Sequence, residues 1–175
     1  MITILVFLSL ISYVYGQHAQ CYMQLTVSDP SGGSLTIQAL NDSLVKMVQS
    51  RIGNTSSCVY YSQGAEFCGY SIVSMSSKDN HFQHTTPVHH YVDDINFSEW
   101  TQSGSNVVVQ ADSKSEPTSI GDYDTNFCNI FNLFRNGNAH KMNYDLKFKY
   151  TSCTSFHHPN TDNGYDAAYQ QCDTY

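Results

Sequence analysis

The chain is poor in positive charge, and that shortage excludes whole classes of partner. Lys and Arg together number 8 in 175 residues, scattered singly, against 15 Asp and Glu, for a formal net charge of −7. A surface that cradles phosphates needs clustered cations, so no nucleic acid is expected as a partner. A polybasic segment for a membrane surface is missing for the same reason. Glutamate is scarcer still: Glu66, Glu99 and Glu116 are the whole set, which leaves no obvious Glu pair for glycoside hydrolysis, though Asp can substitute. The G-x-S-x-G nucleophile elbow, the H-E-x-x-H zinc helix and the C-x-x-C metal spacing are all absent. No internal repeat and no low-complexity linker divides the chain. No apolar run approaches the roughly 20 residues that a spanning helix requires, so no stable membrane insertion is expected.

What is present begins at the amino terminus. Ile2 to Val14 reads ITILVFLSLISYV, followed by Tyr15-Gly16 and the polar Gln17-His18. The run is too short to cross a bilayer but fits the apolar centre of a secretory signal, with small Gly16 just before a cut. No Lys or Arg precedes it. Residues 1–16 are therefore expected to be a signal peptide, and residues 17–175 one secreted, β-rich domain, with Gln17 able to cyclise to pyroglutamate. The expected localisation is extracellular.

Six cysteines, Cys21, Cys58, Cys68, Cys128, Cys153 and Cys172, all follow the expected cut. An even count behind a signal predicts disulfides in an oxidising compartment. Connectivity is open; proximity along the chain suggests Cys58 with Cys68, Cys128 with Cys153, and Cys21 with Cys172. Three sequons, at Asn41, Asn54 and Asn96, add the expectation of a glycoprotein.

Period-two alternation dominates the pattern. Cys21–Val27 and Ser34–Leu40 read as neighbouring strands across the breakers Asp29-Pro30-Ser31-Gly32-Gly33, and Tyr144–Tyr150 alternates most cleanly. Ser57–Ser62, Phe67–Met75, Val88–Val92, Asn106–Ala111 and Phe127–Phe134 are further strand candidates. Leu44–Ile52 carries its apolar residues on one helical face, with Asn41 or Asp42 as a cap and Gly53 as a stop. Ser113–Ser119 reads as a mobile loop. The expected fold is mainly β: a single disulfide-braced antiparallel sandwich or jelly roll with one short helix.

Histidine is the main source of candidate chemistry. His81, His84, His89 and His90 fall within ten residues, followed by Asp93 and Asp94. Neutral imidazoles with carboxylates could hold zinc or copper, although the spacing fits no zinc signature and surface hydrogen bonding explains the cluster more simply. Asp122-Tyr-Asp124-Thr-Asn126 and Asn160-Thr-Asp162-Asn-Gly164-Tyr-Asp166 place oxygens at alternate positions as calcium loops do, but Phe127 stands where the first would need its turn glycine. Asn and Asp cluster in ordinary turns too. No cofactor is firmly implied.

No catalytic residue is selected. His140 with His157 is chemically conceivable as an acid–base pair, but cations to stabilise a phosphodiester transition state are lacking. Trp100, the only tryptophan, is a core residue or, if exposed, a platform for a sugar ring or a protein partner. The reading that follows is a secreted, non-enzymatic extracellular binding or matrix-type glycoprotein, with an extracellular protein or carbohydrate as partner. The alternatives are a small secreted hydrolase using His and Asp, with or without a metal, and a His-rich metal-binding protein.

Overall fold

Alternation builds the first strand as expected. In the computed structural model, which describes residues 18–52, 68–87, 89–116, 125–135, 142–153 and 172, β1 (Gln20–Ser28) turns Cys21, Met23, Leu25 and Val27 into the core. Asp29 then closes a turn, its Oδ1 accepting from the Ser31 amide at 2.8 Å.

Beyond that turn the expected second strand is a helix. α1 (Ile37–Ser50) starts where Thr36 Oγ1 accepts from the Ala39 amide at 3.1 Å, so Thr36 is the cap, not Asn41 or Asp42. Leu35 before the cap and Leu40 after it are both buried, the residue pattern of a hydrophobic staple. Leu40, Leu44 and Val48, spaced by four, then give the helix its buried stripe. The alternation of Leu35, Ile37 and Ala39 was a coincidence within the first turn, overridden by the cap and the longer period.

The remaining strands are β2 (Tyr70–Met75), β3 (Asn80–Thr85), β4 (Val92–Ser103), β5 (Asn106–Ser115) and β6 (Asp145–Cys153), with α2 (Thr125–Asn132) between the last two. They form one antiparallel sheet in the order β2-β3-β4-β5-β1-β6. Phe127–Phe134, expected as a strand, is largely α2. Its Phe127 and Phe131 stack at 5.5 Å and meet Phe148 of β6 at 5.8 and 6.3 Å. Among the described residues of 88–92, only Val92 is in a strand; His89–Tyr91 form a turn. Ser113 and Ser115, expected in a mobile loop, end β5 and are buried.

Both helices contribute to the same core as the sheet, α1 over β2 and β4, α2 over β5, β1 and β4. The fold is mainly β, with two helices among the described residues where one was expected. Two segments expected as strands, Ser34–Leu40 and Phe127–Phe134, are partly helical instead, and the described strands make a single sheet.

The cysteine pairing expected from proximity is corrected. Cys21 lies opposite Cys153 in the β1–β6 register and is bonded to it, while Cys128 on α2 is bonded to Cys172. Sheet pairing, which ignores distance along the chain, sets the first bridge. Cys68 is also disulfide-bonded; Cys58, its expected partner, lies outside the described residues. So do the expected signal peptide, the strand at 57–62, Asn54, Gly53, His140, His157, His158, Asp122, Asp124 and the loop 160–166. No helix among the described residues is long and apolar enough to cross a membrane.

Candidate functional site

Strand register lines up chemistry in rows, and the two faces of the sheet treat those rows differently. On the helix-covered face, Tyr70, His84, Asp93 and Ser115 are successive partners across β2, β3, β4 and β5. All four are buried. α2 closes over them with Asn126 and Asn129, one helical turn apart. Asn129 Nδ2 donates to Asp93 Oδ2 at 2.9 Å and to Ser113 Oγ at 3.2 Å, while Ser113 Oγ donates to Asn126 Oδ1 at 2.6 Å. The Tyr70 hydroxyl donates to the Asn129 carbonyl at 3.0 Å, and its ring lies 4.8 Å from that of His84. His84 Nδ1 stands 4.0 Å from Asp93 Oδ2.

This row contains the residue types of acid–base chemistry, yet its side chains bond to one another beneath a helix. Burial by itself would raise the Asp93 carboxyl. The neighbouring His84 and hydrogen bonds from Ser115 and Asn129 outweigh burial and hold it below the ordinary carboxylate range. The unfolded chain therefore takes up this proton at a higher pH than the folded one. Stability from Asp93 is complete above the unfolded value and is lost as pH falls through the folded one. Acid titration of the melting temperature should show a low-pH decline that Asp93→Asn flattens; an unchanged acid limb would contradict the assignment.

The opposite face carries its own row. His81, Asn96, Asp112 and Tyr22 are successive register partners, and Gln83, Asp94 and Lys114 form the row beside them. Asp94 Oδ1 lies 2.7 Å from His81 Nε2 and accepts from Gln83 Nε2 at 3.0 Å. Asn96 Nδ2 donates to Asp112 Oδ2 at 3.0 Å. Partial burial, aided by the charge on Asp94, raises the Asp112 carboxyl despite opposing contributions from Asn96, His81 and Lys114. Here the linkage has the opposite sign. Ionised Asp112 costs stability above its raised pKa, and Asp112→Asn is expected to hold or slightly raise the melting temperature at neutral pH, measured by thermal denaturation.

The third feature lies where the β2–β3 turn meets α1. Ser76 shapes the turn, its Oγ accepting from the Asp79 amide at 2.8 Å and from the Lys78 amide at 3.1 Å. The Asn41 amide donates to the Ser76 carbonyl at 3.3 Å, and the Asn41 and Asn80 amides meet at 2.6 Å. Helix and turn are thus tied together. On one side of the turn opens a groove of about 430 Å³ lined by Ile37, Ser77, Lys78, Asp79, Glu99 and Trp100. On the other, one of about 380 Å³ includes Gln38, Asp42, Gln49, Met75, Ser76 and Ser77. Trp100 sits at a β-bulge where Glu99 has φ of +52°, a left-handed conformation for a residue with a side chain. Its Nε1 donates to the Phe97 carbonyl at 3.4 Å, and the residue is half-buried, between the two readings its sequence allowed.

The four clustered histidines do not converge. His81 and His84 lie on opposite faces of β3. His89 and His90 are exposed in the next turn, where the His89 ring stacks on Tyr91 at 5.4 Å. Among the described residues no group of three His, Cys, Asp or Glu side chains is arranged to hold a metal ion. Of the sequon asparagines, Asn41 is 8 % exposed within α1, and Asn96 is half-buried on the helix-free face. The buried row and the groove escaped sequence reasoning because strand register and turn packing bring together residues far apart in the chain. Only the spacing of Asn126, Asn129 and Asn132 could have signalled the row.

No family model matches the sequence, and neither a curated protein nor a solved structure resembles it at a significant level.

Proposed function

We propose that the chain is a secreted, non-enzymatic extracellular binding or matrix-type glycoprotein, whose sheet is a scaffold and whose grooves beside the β2–β3 turn take an extracellular protein or carbohydrate. The observation that carries this reading is the solvent-open grooves, whose helix and turn walls are hydrogen-bonded into place. Walls fixed before binding lose little freedom when a ligand arrives. The disulfides support an oxidising compartment, where such bonds persist. Sealing of His84, Asp93 and Ser113 beneath α2 gives them a structural role and leaves the grooves as accessible binding surface.

Expression of the full chain in a eukaryotic secretory host tests the reading. The expected product appears in the medium, begins at Gln17, holds less than stoichiometric metal and carries a glycan on Asn96. Asn41 is expected to stay unmodified, because it is buried, unlike Asn96, and tied to both Ser76 and Asn80. Mass spectrometry before and after peptide N-glycosidase reads both positions. Retention in the cell, or a glycan on Asn41, would contradict the account.

The hydrolase reading draws on one arrangement: the His81–Asp94 pair, about one-third exposed, beside Asp112 with its raised carboxyl pKa. Two carboxyl groups held beside one imidazole, one of them with a raised pKa, is the kind of arrangement that acid–base catalysis uses. Turnover of ester or glycoside substrates that His81→Gln and Asp112→Asn both abolish would establish that reading in place of the first.

A further inference from the structure

We infer that the two grooves flanking the β2–β3 turn form a binding site for a neutral oligosaccharide, with Trp100 as its stacking platform. The inference rests on the binding-module reading and names the ligand class.

Three observations converge on it. The first is shape. The grooves share Ser77 and run on either side of one rigid turn, and at about 430 and 380 Å³ each lies within the range of roughly 300–1,000 Å³ typical of small-ligand sites. Together they favour an extended ligand over a single compact one.

The second is charge. The walls carry Asp42, Asp79 and Glu99 against Lys46 and Lys78. Opposite signs interspersed at this density produce no strong field for an anion or a cation. What remains is neutral hydrogen-bonding capacity: the Gln49 amide, the Ser77 hydroxyl and the Gln38 amide, whose Nε2 also donates to Asp42 Oδ1 at 2.8 Å. Amides offer both donors and acceptors, hydroxyls do the same, and carboxylates accept from ligand hydroxyls. A ligand dense in hydroxyl groups satisfies that mixture without burying an unpaired charge.

The third is the aromatic. The apolar face of a pyranose ring packs on an indole, and the ring's equatorial hydroxyls reach sideways to polar walls. Trp100 lines the larger groove beside Glu99, its Nε1 held by the Phe97 carbonyl and its ring packed against Phe97 at a centroid distance of 6.2 Å. That anchoring sets the ring's orientation before any ligand arrives. The left-handed Glu99 in the bulge re-aims the strand at this point. Strained backbone concentrates at sites where a side chain must be presented in one particular direction.

Because Trp100 is the only tryptophan, its emission reports on this site alone. The experiment titrates the secreted full chain with four neutral trisaccharides, built on glucose, mannose, galactose and N-acetylglucosamine, and follows fluorescence. A saturable change in intensity or wavelength with at least one of them is expected, with calorimetry giving the same affinity. By calorimetry, which does not need the indole emission that both variants lose, Trp100→Ala should weaken binding at least about tenfold, Trp100→Phe less. Glu99→Gln, on an exposed side chain, should weaken it while leaving the melting temperature unchanged, which covers the case in which Trp100→Ala fails to fold. Absence of a saturable change with all four sugars up to about 10 mM overturns the inference, since that is about tenfold above a Kd of 1 mM, the weak end of specific binding. So does binding that Glu99→Gln and Trp100→Phe leave intact, or an unstructured peptide that saturates the signal where the sugars do not. Chromatography of the sugars after the titration separates the two levels of the argument. Cleaved trisaccharide would sink the non-enzymatic reading and keep the site, whereas no binding would sink the sugar and leave the binding-module reading standing.

Discussion

Joint replacement of Cys21 and Cys153 by alanine is expected to remove about 5 kcal/mol of folding free energy, read from guanidinium denaturation with the m-value fitted for each variant, because the uncrosslinked unfolded chain exposes more surface. The bridge closes a separation of 132 residues, and loop-closure entropy in the unfolded chain grows with the logarithm of that length. The Cys128–Cys172 bridge closes 44 and on the same basis contributes about 4 kcal/mol. With a whole domain stable by about 5–15 kcal/mol, the first loss alone approaches the total. Position strengthens the case, because Cys21 is fully buried and the bond staples β1 to edge strand β6. Loss below about 1 kcal/mol, or peptide mapping that finds Cys21 joined to Cys172, would refute the pairing.

Arg51→Met is expected to cost about 3–6 kcal/mol, since it removes two buried hydrogen bonds from a charged donor at about 1.5–3 kcal/mol each. Arg51 follows α1, is buried, and donates through its guanidinium to the carbonyls of Asn132 and, at 2.7 Å, of Arg135. Those carbonyls lie at and just beyond the end of α2, where Asn132 also accepts from the Arg135 amide at 3.1 Å and Arg135 from Asn143 Nδ2 at 3.3 Å. The side chain therefore closes one helix from the end of the other. Burial, with the nearby Arg135 charge, lowers its pKa to about 10, so it remains a cation at neutral pH. Methionine keeps most of the volume and none of the donors, which isolates the hydrogen bonds from packing. A shift in denaturation midpoint near zero would show that the helix end finds other partners.

The half-buried strands were legible in the sequence. Cys21–Val27 and Tyr144–Tyr150 alternate because one face of each meets the core and the other does not. Ser34–Leu40 and Phe127–Phe134 misled for physical reasons that differ. In the first, three alternating apolar residues straddle a helix cap, and the cap decides. In the second, α2 is buried from Asn126 to Asn132, and its asparagines recur every third residue between apolar pairs, a helical period that was outweighed by the density of apolar and aromatic residues in so short a segment. The disulfide pairing was illegible because register across a sheet joins Cys21 to Cys153 without regard to distance along the chain. The histidine cluster illustrates the same limit. Proximity in sequence suggested one site, whereas β3 sends His81 and His84 to opposite faces and pairs each with a different aspartate. Trp100 was visible as a candidate, but its groove depends on a turn and a helix contributed from other parts of the chain.

Amide chemical-shift mapping on the folded chain, during titration with a neutral trisaccharide, tests most directly whether ligand enters beside the β2–β3 turn. The account predicts shifts concentrated at Gln38–Gln49, Met75–Asp79 and Glu99–Trp100, with the His84–Asp93 row unmoved. Shifts centred instead on His81, Asp94 and Asp112, or none at saturating sugar, would contradict it.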